Sequence, residues 1–141
     1  YMYLRPAVFE DWSFLLNCRN DPTTRLNSFD QAAITEKQHK EWFSRSLSNS
    51  SRDILIMEDP NSESIGTIRC DTNNQNEKFL SWSIDAKHRG KGFGSLMLSL
   101  FLGSAKGYFL AEIKKENISS IKMAERNGFT YKSPQLYEKT I

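Results

Sequence analysis

Apolar positions in this chain follow two periods, and the changes between them mark out the elements. Met2 to Arg5 alternates and stops at Pro6, which reads as a first strand. Phe9, Trp12, Leu15 and Leu16 then recur one turn apart, predicting a helix over Phe9–Asn17. Arg19-Asn20-Asp21-Pro22 ends it, because Pro22 disfavours helical geometry at Asp21. Thr23 to Ala33 is polar apart from a few isolated apolar residues, among them Leu26 and Phe29, the pattern of a loop or one short helical turn lying over a site. Thr35-x-x-Gln38 is a capping box that opens a second helix, with Trp42, Phe43, Ser46 and Leu47 on one face and Ser48 to Ser51 ending it.

The next stretch changes to strands. Asp53–Glu58 is a nearly continuous apolar run, Asp59-Pro60-Asn61-Ser62 a turn, Ser64–Asp71 its alternating hairpin partner, and Lys78–Asp85 the third strand of a meander. Helical signals return over Lys91–Ser104, a strand over Tyr108–Ile113, and a helix over Asn117–Asn127 with Gly128 placed as a left-handed cap. Phe129–Lys132 and Leu136–Ile141 are short closing strands. The order β-α-α-β-β-β-α-β-α-β-β predicts a mixed α/β fold in one domain spanning 1–141.

Between the third meander strand and the following helix lies Asp85-Ala86-Lys87-His88-Arg89-Gly90-Lys91-Gly92-Phe93-Gly94-Ser95. A strand, a glycine-rich loop and a helix start form an anion-binding arrangement. The first helical turn has unpaired N–H groups and a partial positive charge, and glycines let an anion approach them. Arg89 and Lys91 add cations. A nucleotide P-loop needs Lys before the Ser, and here Gly94 precedes Ser95 directly. A dinucleotide fingerprint needs Gly-x-Gly-x-x-Gly, whereas Gly90, Gly92 and Gly94 alternate.

Composition narrows the field. A net charge of +2 with dispersed basic residues argues against nucleic acid as a partner. No apolar run reaches the roughly 18–20 residues of a membrane span, and Tyr1-Met2-Tyr3-Leu4 lacks a signal-peptide pattern. Cys18 and Cys70 are read as reduced, buried thiols of a cytoplasmic protein, and two histidines without a Cys/His cluster argue against a metal site.

Arg89-x-x-Gly92-x-Gly94 resembles the pyrophosphate loop of the GNAT superfamily of acyl-CoA-dependent N-acyltransferases, and the element order along the whole chain is similar to that fold. Asn117-x-x-Ser120 followed by Arg126-x-Gly128-Phe129 resembles the family's fourth-helix signature. The resemblance implies acetyl-CoA as cosubstrate, with Arg89, Gly90, Lys91, Gly92, Phe93, Gly94 and Ser95 at its pyrophosphate. It also implies that Ser83 and Ile84 on the splayed strand, and Asn117, lie along its pantetheine arm. Asn117 reads equally as a plain helix N-cap. A substrate amine attacks the thioester directly. Many members carry a tyrosine acid seven residues after the Asn; this chain has Ala124 there, which leaves Ser120 or Tyr131 as hydrogen-bond donors to the leaving sulfur. Glu112 and His39 are the candidate bases.

Arg19-Asn20-Asp21, Arg25 and Ser28, then Ile34, His39, Trp42 and Phe43, resemble the subset that acetylates amino groups of nucleotide-linked deoxysugars and, more loosely, ribosomal-protein N-terminal acetyltransferases. Arg19 and Arg25 suit a diphosphate, Trp42 and Phe43 a base or sugar face, and His39 a substrate contact. Three functions stay open at this point: an amino-sugar N-acetyltransferase, a protein N-terminal or small-amine N-acetyltransferase, and a non-catalytic acyl-CoA-binding module. Pairing into a homodimer through strands or helices is a further expectation of the resemblance.

Overall fold

The computed structural model describes all 141 residues. Seven strands form one sheet in the order β1-β2-β3-β4-β5-β7-β6: β1 (Tyr3–Pro6), β2 (Arg52–Glu58), β3 (Ser64–Thr72), β4 (Glu77–Ile84), β5 (Tyr108–Glu112), β6 (Thr130–Ser133) and β7 (Leu136–Thr140). Every pairing is antiparallel except β4 with β5. Pro6 is tolerated in β1 because that strand is a sheet edge.

Five helices complete the chain, one more than the sequence pattern predicts: α1 (Trp12–Asn20), α2 (Pro22–Leu26), α3 (Glu36–Leu47), α4 (Phe93–Gly103) and α5 (Ile118–Arg126). The extra one is α2. Pro22 sits at its first position, where a missing N–H costs nothing, and Asp21 caps it by accepting from Thr24 N–H at 3.1 Å. The start of the first helix also differs: Phe9–Asp11 is a tighter 3₁₀ turn, and α1 proper begins at Trp12. The capping box of α3 forms in both directions, with Gln38 N–H donating to Thr35 Oγ1 at 3.2 Å and Thr35 N–H donating to Gln38 Oε1 at 3.1 Å.

The apolar run of β2 explains the layering. Successive strand residues point to opposite faces. Ile54 and Ile56 pack with Leu15 and Phe43 of α1 and α3, while Met57 joins the larger cluster with Met97, Leu98 and Leu102 of α4 and Ala124 of α5. The sheet is therefore covered on both sides. Cys18 and Cys70 are free and buried. No helix is long and apolar enough to cross a membrane.

Phe43 is expected from the sequence to face the substrate, and the structure corrects this. It is fully buried, stacked on Phe9 at 6.1 Å, and lies in the core between α3 and β2. Phe43→Ala should cost about 3–5 kcal/mol of stability, read as a lowered denaturation midpoint in urea. A loss below 1 kcal/mol would place Phe43 outside the core.

Candidate active site

The site begins where β4 and β5 part. Their parallel pairing covers only Glu77–Phe79 against Tyr108–Leu110. β5 stays with β7 along its whole length, from Tyr108 opposite Thr140 to Glu112 opposite Leu136. The far half of β4 is left without a neighbour on that side. Ladder parity identifies its free groups. Asn73 N–H donates to Glu77 O, and Asp85 N–H donates to Ile65 O, so odd-numbered residues of β4 bond to β3. The N–H groups of Trp82 and Ile84 consequently face the gap. Ser83, expected along the pantetheine arm, turns its backbone toward Thr67 and offers only its side chain to the gap.

Past β4 the chain turns through Gly90 (φ 76°) and Gly92 (φ 80°), a left-handed region that L side chains rarely adopt. This geometry aims the loop amides outward. None of the N–H groups from Gly90 to Ser95 has a protein acceptor, the first helical bond being Leu96 N–H to Gly92 O at 3.2 Å. Lys91 is exposed and has no ion-pair partner, and Phe93 packs against His88 with ring centroids 6.2 Å apart. Gly94 is buried against the end of the Met123 side chain of α5, which would have to shift to admit a Cβ there. Asn127 fastens the same junction, donating to Ser95 Oγ at 3.2 Å and Met123 O at 2.9 Å.

The Arg89 side chain does not do what the sequence suggests. Its guanidinium points away from the loop amides, pairing with Asp21 at 2.9 Å and donating to Thr24 Oγ1 at 3.0 Å and Ile84 O at 3.1 Å. It braces the loop instead of adding a free cation. The cations that do face the loop are Lys122 and Arg126 on α5, neither with an ion-pair partner. Their spacing of four residues was the available signal, since it puts both on one helix face.

Two cavities meet at the parted strands, one of about 460 Å³ over the glycine loop and one of about 400 Å³ on the α1–α3 side. Trp82, Ser83, Asn117 and Ser120 line both, making one continuous groove. Asn117 caps α5 through Ser120 N–H at 3.3 Å, so the capping reading is met, and its amide nitrogen remains free to donate. Trp82 Nε1–H donates to Ser120 Oγ at 3.3 Å, which orients that hydroxyl and leaves its proton available. Ala124 is fully buried, and Tyr131 is exposed and lines neither cavity, so Ser120 alone remains from the pair considered as donors to sulfur.

The second cavity holds Glu112, His39, Trp42 and Arg19 together. Glu112 ends β5 with its carboxylate free of ion pairs and hydrogen bonds to side chains. Arg19 lies over the Trp42 ring at 5.0 Å and has no carboxylate within ion-pair range. Arg25 is not there: its Nε–H donates to the Gln31 carbonyl at 3.0 Å, which fastens the α2 loop outside both cavities. Arg69 of β3, which the sequence reading missed, lines the cavity and lies 5.7 Å from the same indole. Its signal was the alternation of β3, which puts Arg69 on the same face as Thr67, another residue of the cavity wall.

His39 is 1% exposed, and neither ring nitrogen makes a hydrogen bond. Burial lowers its pKa, the nearby Trp12 backbone acts in the opposite sense, and Arg19 adds to the lowering, so the ring stays neutral near pH 7. Cys18, also in the cavity wall, has its thiol pushed up to about 12 by burial and is no nucleophile.

A sequence profile of the acetyltransferase (GNAT) domain matches residues 2–130. The chain belongs to this family of acetyltransferases. No curated protein sequence matches it. Among solved structures it is similar to spermidine N-acetyltransferase from Vibrio cholerae in complex with CoA and spermine, at TM-score 0.86 and 16% identity over 99% of this chain and 94% of that one. An aminoglycoside acetyltransferase in complex with coenzyme A gives 0.82 and 15%, over 99% and 95%. A phosphinothricin acetyltransferase from Sinorhizobium meliloti in complex with acetyl-CoA gives 0.79 and 20%, over 99% and 88%.

Two outcomes follow from this geometry. Gly92→Val places a β-branched residue at φ 80° and should weaken acetyl-CoA binding by at least about tenfold in calorimetric titration; unchanged affinity would remove the loop from the cosubstrate site. For His39, the folded-state pKa lies below the unfolded value of 6.5, so the unfolded chain binds more protons as the solution is acidified. Its contribution to stability is flat above that value and falls as pH drops from there to the folded value. His39→Phe should abolish this part of the slope of stability against pH, measured by denaturant titration at successive pH values. An unchanged slope would show that the ring protonates freely.

Proposed function

We propose that the chain transfers the acetyl group of acetyl-CoA to the primary amine of an amino sugar carried on a nucleotide, by direct attack on the thioester. One observation carries the reading: an arginine without a carboxylate partner, Arg19, lies on the face of Trp42 inside the cavity that opens from the parted strands. That pairing suits an acceptor with a flat ring and a nearby phosphate.

Acetyl-CoA supplies the acyl thioester, and the chain's own groups do the rest. The free amides from Gly90 to Ser95, with Lys122 and Arg126 alongside, hold phosphate. The Trp82 and Ile84 N–H groups donate to a pantetheine arm as to an added strand and polarise a carbonyl oxygen. Glu112 takes the proton that the amine must lose, and the Ser120 hydroxyl donates a hydrogen bond to the departing thiolate, a tolerable leaving group at a thiol pKa of about 8.5. Neutral His39, buried in the wall beside Trp42, fixes that ring by packing at 5.8 Å between centroids.

The arginines clustered at Trp42 disfavour a polyamine over that ring. Arg19, Arg52 and Arg69 all lie within 6 Å of the Trp42 ring centroid. Asp71 pairs with Arg52 at 2.7 Å and Arg69 at 3.3 Å, Asp30 acts on Arg19 from the rim, and Glu112 is the other carboxylate that lines the cavity. A second positive charge brought to about 5 Å of one of these guanidiniums costs about 3 kcal/mol at an effective dielectric of about 20.

Thiol release from acetyl-CoA, followed over nucleotide-linked amino sugars, free amino sugars and spermidine, tests the proposal. The nucleotide-linked sugars should be preferred. Arg19→Gln should raise their KM about tenfold with little change in kcat. Glu112→Gln should lower kcat about a hundredfold. Preference for spermidine, or indifference to Arg19→Gln, would overturn the assignment.

A further inference from the structure

The segment from Asp21 to Asp30 walls both cavities: Thr24, Asn27 and Ser28 line the two together, and Phe29 and Asp30 line the acceptor side. Little in the segment holds it in place. The helix α2 has five residues, short of the length that sustains a helix in water, and Leu26 and Phe29 are exposed. Its polar ties to the body of the protein are few. Thr24 Oγ1 is 3.5 Å from Ser83 Oγ, and the Leu26 carbonyl accepts from Lys114 Nζ at 3.4 Å. The two short ties both run to Arg89, at 2.9 Å from Asp21 and 3.0 Å from Thr24.

Arg89 is itself part of the phosphate loop, and its Nε–H holds the Ile84 carbonyl at the end of the parted strand. One guanidinium thus joins three pieces: the loop that takes phosphate, the strand end that faces the gap, and the cap of the helix that walls the acceptor cavity. The carboxylate partner is well prepared. Burial alone would raise the Asp21 pKa, but the Thr24 N–H and Arg89 outweigh it and hold it below the usual carboxylate range. From this we infer that Arg89 is a positioning residue that couples the two half-sites: phosphate bound on Gly90–Ser95 fixes the Arg89 backbone, and the guanidinium passes that order to α2. Cosubstrate binding then completes the acceptor wall through this one side chain.

Hydrogen exchange tests this without knowledge of the acceptor. The probe is 3′-phospho-ADP, the nucleotide half of the cosubstrate, which lacks the pantetheine arm; because Thr24, Asn27 and Ser28 also line the phosphate-side cavity, the variant below separates direct contact with the nucleotide from the tie through Arg89. In the native protein it should slow exchange by about tenfold both at residues 90–96 and at 22–30. The double variant Asp21→Gly, Thr24→Val leaves glycine, a tolerated cap, at the start of α2 and removes both side-chain ties to Arg89. There the slowing should persist at 90–96 and vanish at 22–30. Arg89→Lys, which reaches fewer of the three acceptors, should give an intermediate response at 22–30. Slowing at 22–30 that survives in the double variant, or is missing in the native protein while 90–96 responds, overturns the coupling. No response at 90–96 would instead contradict the phosphate loop itself.

Discussion

A sheet that is paired along one strand edge and open along the next has to put its unpaired amides somewhere. In this protein β5 is held by β7 over its full length, and it cannot follow β4 beyond Phe79 without leaving that partner. Two inward-facing N–H groups, those of Trp82 and Ile84, are stranded by this conflict in the interior of the groove. Buried backbone donors without partners carry a penalty of about 1–3 kcal/mol each unless water or a ligand meets them. The cavities on either side, the position of Ser120 across from Trp82, and the placement of the glycine loop at the end of β4 all follow from that parting.

The glycine loop answers a second requirement. A tight exit from β4 into α4 needs left-handed backbone at Gly90 and Gly92, and that same backbone turns a run of amides outward. The fold therefore supplies donors for phosphate at one end of the groove and donors for a strand-like arm in the middle. Acetyl transfer needs little more than a base for the amine and a group to receive the sulfur. Glu112 and Ser120 both line the groove and are the groups proposed for these two roles, while Ala124 is buried in the core.

The local elements were legible in the sequence because local signals decide them. The Thr35–Gln38 capping box, the Asn117 cap and the alternation of β3 each formed as their residues dictate. What was not legible depends on partners far along the chain. Arg89 and Lys91 look alike in the loop, but Asp21 draws one of them away from the phosphate side. Trp42 and Phe43 are adjacent on α3, about 100° apart around the helix axis, and only the position of the sheet decides that Phe43 is core and Trp42 lines the cavity. Arg25 and Tyr131 were drawn into the site by residue type and excluded by where their elements lead. Arg69 was hidden because strand alternation was read for its apolar face alone.

The most direct test is amide-resolved NMR with hydrogen exchange on the backbone of β4 during titration with acetyl-CoA. If the parted strands receive the cosubstrate arm as an added strand, the Trp82 and Ile84 amides should shift and gain protection together, while Phe79 and Ser81, already bonded to β3, change little. Binding that leaves Trp82 and Ile84 exchanging as before would contradict the account, because the groove would then owe its function to some feature other than the gap between β4 and β5.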